Sequence, residues 1–263
     1  PAPVDDESLR ITRKVAWTGL TIFLSGFAAM GIEIVWFRFF NVSLGGYRSV
    51  FSLLITVMLV AMWLGSTVGG FIHRKFGRPA LIYMLAQAGV IASALFLLWS
   101  FTPADVSRFE LSEAWTTWTG QTLWQLGNIA AVMGLPAFLM GFAYPVANAL
   151  VQDAESSIGT RSGTLYLANT AGAVAGSMIT GFVFLPWLGS QNSMLLLATA
   201  AGISIVTVFL ADDRGESRAY RGLVASLAVT VFALGSWASI ADGEILARFS
   251  APRAEAARRL EAE

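Results

Sequence analysis

Residues Val50 to Ile72 read VFSLLITVMLVAMWLGSTVGGFI, a run of 23 residues without a charged side chain. A bilayer core about 30 Å thick needs roughly 20 mostly apolar residues in one helical span. The run therefore predicts a transmembrane helix, and six other stretches meet the same test. The seven predicted spans are Val15–Phe40, Val50–Ile72, Ala80–Phe101, Leu123–Val151, Thr164–Leu188, Ser193–Ala211 and Gly222–Ile240.

The composition agrees with a membrane protein. Of the 263 residues, 56% are apolar and 13% are charged, whereas a soluble domain is about 45–50% apolar and about 25% charged. We therefore predict an all-α integral membrane protein with about seven transmembrane helices. The formal net charge is zero, there is no cysteine, and His73 is the single histidine. We accordingly expect no nucleic-acid partner, no metal and no cofactor.

Catalytic signatures are missing from the sequence as well. It has no P-loop, no Gly-rich dinucleotide motif and no nucleophile elbow. A soluble catalytic domain needs about 100 residues or more, and the polar stretches between and after the spans are far shorter. We therefore predict that the chain is not an enzyme.

The distribution of Lys and Arg predicts the orientation, since cytoplasmic loops are enriched in both. Ten of these residues lie on the side of the N-terminus and three on the other side before the C-terminal tail. We therefore expect a multi-pass protein of the inner (cytoplasmic) membrane with a cytoplasmic N-terminus. The ten are Arg10, Arg13, Lys14, Arg74, Lys75, Arg78, Arg161, Arg214, Arg218 and Arg221, and the three are Arg38, Arg48 and Arg108.

The predicted division is a cytoplasmic segment 1–14, a helical bundle 15–240 and an amphipathic tail 241–263. Within the bundle, the outer loop 102–122 is either a short interfacial helix or a Trp-lined lid. Seven spans place the tail outside although it carries four arginines. Either the last span is re-entrant, or the tail is an outer amphipathic helix.

Two helices share a pattern of small residues. Gly65-Ser66-Thr67-Val68-Gly69-Gly70-Phe71 in the second span matches Gly176-Ser177-Met178-Ile179-Thr180-Gly181-Phe182 in the fifth. An odd spacing of three helices makes the two copies run in opposite directions, as in an inverted repeat. The alternative is coincidence, because Gly and Ser are common in packed membrane helices.

Two families resemble this chain. Gly70-Phe71-Ile72-His73-Arg74-Lys75-Phe76-Gly77-Arg78 resembles the cytoplasmic loop motif of major facilitator transporters, although His73 stands at or beside that motif's acidic position. The block from Ser25 to Arg38 and the block Leu165-Tyr166-Leu167-Ala168-Asn169-Thr170-Ala171-Gly172-Ala173 resemble the membrane half of fused spermidine synthase-like proteins. The resemblance implies six helices arranged as a 3+3 inverted-repeat half of a major facilitator fold. It does not imply aminopropyl transfer, because the catalytic domain of that family is not in this sequence.

Glu33 is the acidic residue within a predicted span, and an intramembrane acid is a functional candidate by default. It must find a partner on another helix or lose its charge. One hypothesis is a polar substrate pocket for a cation such as a polyamine, with Glu33 as counter-charge. The other is interhelical hydrogen bonding that only fixes packing, worth about 0.6 kcal/mol per bond. The candidate partners of Glu33 are Tyr144, Asn148, Tyr166, Asn169 and Thr170.

Small residues recur at every fourth position of the fifth span and let another backbone approach closely. They predict either packing within the bundle or a docking face for a partner subunit. The candidate packing or interface residues are Gly65, Gly69, Ala168, Gly172, Gly176 and Thr180.

Three functions are compatible with these features. The one that the sequence favours is a non-catalytic membrane protein of the spermidine synthase-like family that acts as an accessory or scaffold subunit of a larger membrane complex. The second is half of a transporter for polyamine or another small cation, which would have to dimerise. The third is a membrane anchor for a synthase made as a separate chain. The expected partners are the lipid bilayer and other membrane subunits or a second copy.

Overall fold

A computed structural model describes residues 6–44, 48–101, 117–150, 158–212, 217–240 and 244–245, with 6–12 and 158–161 described by their backbone alone. Within these ranges the chain is helical and has no strand. A π-helical turn, Thr180–Phe184, joins the fifth helix to the sixth. The helices are α1 (Asp6–Leu44), α2 (Arg48–Phe76), α3 (Pro79–Ser100), α4 (Trp118–Asn148), α5 (Ile158–Ile179), α6 (Leu185–Ala211) and α7 (Ser217–Ala238).

Six helices of the described residues are long and apolar enough to cross a membrane. The prediction of a membrane protein is therefore confirmed, whereas the count of seven spans is not. Five predicted spans lie in α1, α2, α3, α4 and α7 and agree with their ends to within five residues, apart from the start of α1, nine residues before Val15. The predicted N-terminal segment 1–14 thus belongs largely to α1. The predicted span Thr164–Leu188 runs nine residues past the end of α5, through the π-helical turn and into α6, and α6 begins eight residues before the predicted start at Ser193. The difference in number arises in the stretch Ser162–Ala211, which counts as one helix of 50 residues and holds two predicted spans.

Gly189 interrupts that long stretch. Its φ of 72° and ψ of 178° are not helical, and they fall in a region that is open essentially to glycine alone. Ser193 closes the turn that follows by donating its hydroxyl to the Gly189 carbonyl oxygen. The backbone therefore changes direction at this residue.

Contacts with α1 show how large the change is. Gly172 lies against Phe23 and Gly176 against Phe27, so residue numbers rise together along α1 and α5, and these helices are parallel. For α6 the order is reversed, since Thr21 contacts Thr207 and, further along α1, Gly31 contacts Leu197. α5 and α6 therefore run in opposite directions on either side of Gly189.

The same kind of contact joins α2 to α4. Gly65 lies against the carbonyl group of Phe138, and Gly69 against that of Phe142. In both helix pairs, the partner helix also has a glycine at the contact, three residues after the phenylalanine. Gly26 approaches the Asn169 carbonyl oxygen in the first pair, and Gly141 approaches Met62 in the second. α1 therefore corresponds to α4, and α5 corresponds to α2.

This correspondence shifts the repeat that the glycine pattern predicts. The matched contacts pair Gly65 with Gly172 and Gly69 with Gly176, whereas the sequence pattern pairs Gly65 with Gly176. The predicted register is therefore wrong by four residues, about one helical turn. The shift has a physical reason: the backbone contact selects the glycine that faces the neighbouring helix, and the neighbouring serine plays no part in it.

α7 lies outside the two corresponding helix pairs and packs against α3 and α6. Gly222 near its start contacts Leu81 near the start of α3, so these two helices are parallel. Trp237 near its end donates its indole N–H to the Gln191 carbonyl oxygen near the start of α6, at 3.0 Å. α7 is therefore antiparallel to α6 and parallel to α1. Most of outer loop 102–122 and of tail 241–263 lies outside the described residues.

Candidate functional site

A cavity of about 480 Å³ lies among α1, α2, α4 and α5, with one side chain of α3 in its wall. Its volume is within the range of about 300–1,000 Å³ that is typical of small-molecule sites. Much of the wall is apolar, including Ile22, Met30, Leu59, Met62 and Met140. Its polar and aromatic side chains are Ser25, Trp63, Ser66, Tyr83, Tyr144, Tyr166 and Asn169.

The two corresponding helix pairs contribute to this cavity at matching positions. Gly26 of α1 matches Gly141 of α4, and both line it. On the other two helices, Asn169 matches Met62, which also line it. The cavity therefore lies between the two helix pairs that the repeat relates. The backbone positions in its wall match between the pairs, whereas the polar side chains at those positions do not.

Tyr83 ties the cavity to the core of the bundle. Its side chain is buried and its hydroxyl lies 3.0 Å from the Ser204 hydroxyl of α6. One turn further along α6, Thr207 accepts the Thr21 hydroxyl of α1 at 2.8 Å. These buried hydroxyl groups fix α3 and α1 against α6. The part of the cavity wall that contains Tyr83 is therefore supported by α6.

Three of the six candidate substrate residues meet in the cavity. Tyr144 of α4 comes from one side, and Tyr166 and Asn169 of α5 come from the other. Asn169 is also close to the Gly26 backbone, where its side-chain oxygen would lie 2.9 Å from an added Cβ. Because Gly26 has no Cβ, the Asn169 side chain can occupy the space beside it.

The other three candidates do not line the cavity. Glu33 is half-buried and lies on the α1 face of Ala29 and Met30, about one turn further along. In the described part of the chain, no hydrogen bond or ion pair joins its carboxylate to the predicted partners. Thr170 is exposed, and its hydroxyl donates a hydrogen bond to the Tyr166 carbonyl oxygen one turn earlier. The side-chain oxygen of Asn148 is buried and, within the described ranges, has no hydrogen-bond partner.

The candidate packing residues lie on faces that differ. Gly65 and Gly69 are buried against α4, and Gly172 and Gly176 are buried against α1. Thr180 is fully buried, near Gly31 of α1, whereas Ala168 is half-buried. Four of the six residues therefore hold helix pairs together inside this bundle and are not free for a partner subunit.

Ser25, Trp63, Ser66 and Tyr83 also line the cavity and are not among the residues predicted from the sequence. A signal for two of them exists in the sequence. Phe23-Leu24-Ser25-Gly26-Phe27-Ala28 of α1 matches Phe138-Leu139-Met140-Gly141-Phe142-Ala143 of α4, and this match aligns the two helices as the contacts do. With that alignment, Ser25 falls opposite Met140, and Ser66 on α2 falls opposite Ala173 on α5.

Charged groups are missing from the described wall of the cavity. The described residues also contain no group of three or more His, Asp or Glu side chains that could hold a metal ion. The wall instead offers aromatic ring faces, hydroxyl groups and one amide. Such a wall can bind an organic molecule through ring contacts and a few directed hydrogen bonds.

A scan of protein-family models finds no match to this chain, and searches of curated proteins and of solved structures find none either. The resemblances to major facilitator transporters and to spermidine synthase-like proteins therefore stay predictions.

Proposed function

We propose that this chain is a solute-binding membrane domain and that its first six helices form half of a carrier of the major facilitator kind. The observation that carries the proposal is the cavity, which lies where the two corresponding helix pairs meet. In transporters with inverted repeats, substrate sites lie at the repeat interface near the middle of the bilayer. A cavity of about 480 Å³ at that position has the size and the place of such a site.

The proposal includes seven membrane passes. Ser162–Ala211 contains 50 residues, which at a rise of ~1.5 Å would extend about 75 Å as one straight helix. The hydrocarbon core is only about 30 Å thick, and α5 and α6 run in opposite directions. We therefore assign them to two passes that meet at Gly189, with the N-terminus in the cytoplasm and the protein in the inner membrane.

The proposed substrate is a small organic cation, such as a polyamine. Ring faces of Trp63, Tyr144 and Tyr166 can each attract an ammonium group, and the Asn169 side-chain oxygen can accept its hydrogen. Glu33, one turn beyond the cavity on α1, is placed to attract a cation toward the cavity without contacting it there. The predicted role of Glu33 as a direct counter-charge is thus replaced by a role at the approach.

Equilibrium binding of radiolabelled spermidine to the chain in lipid nanodiscs tests this function. We expect saturable binding that Tyr166→Leu and Asn169→Leu each weaken about tenfold or more, because each removes a directed contact inside the cavity. Leu167→Ala is the matched control, since Leu167 is an exposed neighbour on α5 that does not line the cavity. It should bind as the wild type does.

Glu33→Gln separates the two roles of the acid. A residue at the approach changes the rate of association and its dependence on salt, whereas a direct counter-charge changes the rate of dissociation. The proposal is wrong if spermidine does not bind saturably, or if the two cavity variants bind it as tightly as Leu167→Ala does.

Half of a carrier needs a second half, so a second copy or another membrane subunit is part of the proposal. Large apolar side chains are exposed on the surface of the bundle, among them Trp63 on α2 and Phe182 after α5. The accessory-subunit and anchor functions stay predictions. Extraction in mild detergent followed by mass spectrometry distinguishes them: a homodimer favours the carrier, and stoichiometric co-migration with other subunits favours the accessory role.

A further inference from the structure

A second cavity lies further along α1 than the first, toward the C-terminal end of that helix. It has a volume of about 400 Å³ and includes the break at Gly189 in its wall. We call it the Arg38 cavity and define it by Arg38 of α1, Leu98 of α3, Gly189–Asn192 of α6 and Trp237 of α7. Arg38 is the one charged side chain in its described wall. The polar groups beside it are the amides of Gln191 and Asn192, so the cavity suits an anion that accepts hydrogen bonds.

Protein groups leave hydrogen-bonding capacity unused at this site. The Ser190 hydroxyl is buried and has no partner among the described residues. Gln191 is different, because its side-chain amide donates to the Ile240 carbonyl oxygen at 2.8 Å. Its backbone carbonyl oxygen accepts the indole N–H of Trp237. Gln191 is thus fixed as part of the wall, while Arg38 is exposed and free to move toward a ligand.

An apolar groove of about 480 Å³ adjoins this cavity between α3 and α7. We call it the α3–α7 groove and define it by Leu95, Phe96 and Trp99 of α3 and by Phe232, Ala233 and Trp237 of α7. Trp237 belongs to both walls, and its indole is fixed by the hydrogen bond to Gln191. The polar cavity and the apolar groove thus share Trp237 as a wall residue.

Both features lie at the same end of the bundle. α1, α3 and α7 are parallel, and Arg38, Trp99 and Trp237 all lie near the C-terminal ends of their helices. Trp and Arg are typical of the headgroup level, where Arg extends its charge toward water. The Arg38 cavity is therefore at the headgroup level and the α3–α7 groove extends from it toward the acyl chains.

We propose that the Arg38 cavity and the α3–α7 groove together bind one anionic phospholipid, its phosphate at Arg38 and an acyl chain along Phe96 and Phe232. Arginine favours phosphate because its planar guanidinium donates two parallel hydrogen bonds. The groove favours a lipid over a soluble phosphate because lipid chains are what surrounds α3 and α7 in a membrane. The bound lipid would fill the groove between α3 and α7.

Native mass spectrometry of the full chain with equal amounts of phosphatidylglycerol and phosphatidylcholine of identical chains tests the proposal. We expect one retained lipid, with phosphatidylglycerol favoured. Arg38→Gln should lower that preference about fivefold, the usual effect of one basic residue near anionic headgroups. Arg48→Gln is the matched control, since Arg48 is exposed at the same end of the bundle but does not line the cavity. It should keep the preference.

A second pair of variants tests the groove without touching the charge. Ala233→Phe fills the groove and should lower retention of both lipids, whereas Ala225→Phe, on an exposed part of α7 outside the groove, should not. Equal preference in Arg38→Gln and Arg48→Gln would overturn the proposal, as would equal retention in the two phenylalanine variants. Displacement of the lipid by millimolar inorganic phosphate would also overturn it, because the site would then bind a free anion.

Discussion

At the scale of single residues, glycine decides how closely helices approach. A Cβ at Gly65 would overlap the Phe138 carbonyl group, whereas a Cβ at Gly70 on the same helix meets nothing within 4 Å. Backbone atoms cannot give way as a flexible side chain can. We predict that Gly65→Ala lowers the free energy of unfolding by about 1–3 kcal/mol, measured by reversible unfolding in mixed micelles.

Gly70→Ala is the matched control for that prediction. It adds the same methyl group to the same helix, and alanine is intrinsically the better helix former by up to about 1 kcal/mol. We therefore expect its free energy of unfolding to be unchanged or raised. Equal destabilisation by the two substitutions would mean that the α2–α4 contact does not hold the bundle together.

At the scale of elements, Gly189 matters for its conformation rather than for its neighbours. No atom lies within 4 Å of a Cβ placed there, yet its φ is +72°. Alanine would be strained by about 1–3 kcal/mol, so we predict that Gly189→Ala lowers the free energy of unfolding by that amount. Gly134→Ala in α4 also meets nothing within 4 Å and has no positive φ. If it destabilises the protein as much as Gly189→Ala does, the strain at Gly189 is not the cause.

The helices themselves were predictable from sequence, because an apolar run of about 20 residues has few other stable structures. Their ends were less so: α1 extends back to Asp6 through a charged segment that hydropathy does not assign to a span. The register of the repeat was missed because glycine and serine recur by chance in membrane helices. The match between Phe23–Ala28 and Phe138–Ala143 carries more information than the glycine and serine pattern of the second and fifth spans.

At the scale of the whole molecule, the cavity was only half predictable. Tyr144, Tyr166 and Asn169 stand out as polar residues in apolar spans, so composition alone selects them. Glu33 stands out more strongly, yet it lies one turn beyond the cavity, since its distance from the other residues depends on how α1 packs against α4 and α5. Trp63 and Ser66 look like ordinary membrane residues until α2 is placed opposite α5.

The number of passes is the property of the whole molecule that an experiment can settle most directly. The sequence has no cysteine, so single cysteines introduced at exposed positions label without background. Two passes for α5 and α6 put Ser217 on the side of Lys75, and Ser239 on the side of Arg48, because each helix reverses the direction of the one before. A single pass for Ser162–Ala211 would exchange the sides of Ser217 and Ser239.

We predict that a membrane-impermeant maleimide added to intact cells labels Arg48→Cys and Ser239→Cys. It should label Lys75→Cys and Ser217→Cys only after the membrane is permeabilised. Labelling of Ser217→Cys together with Arg48→Cys in intact cells would contradict the reversal at Gly189, and with it the seven passes that the proposed function includes.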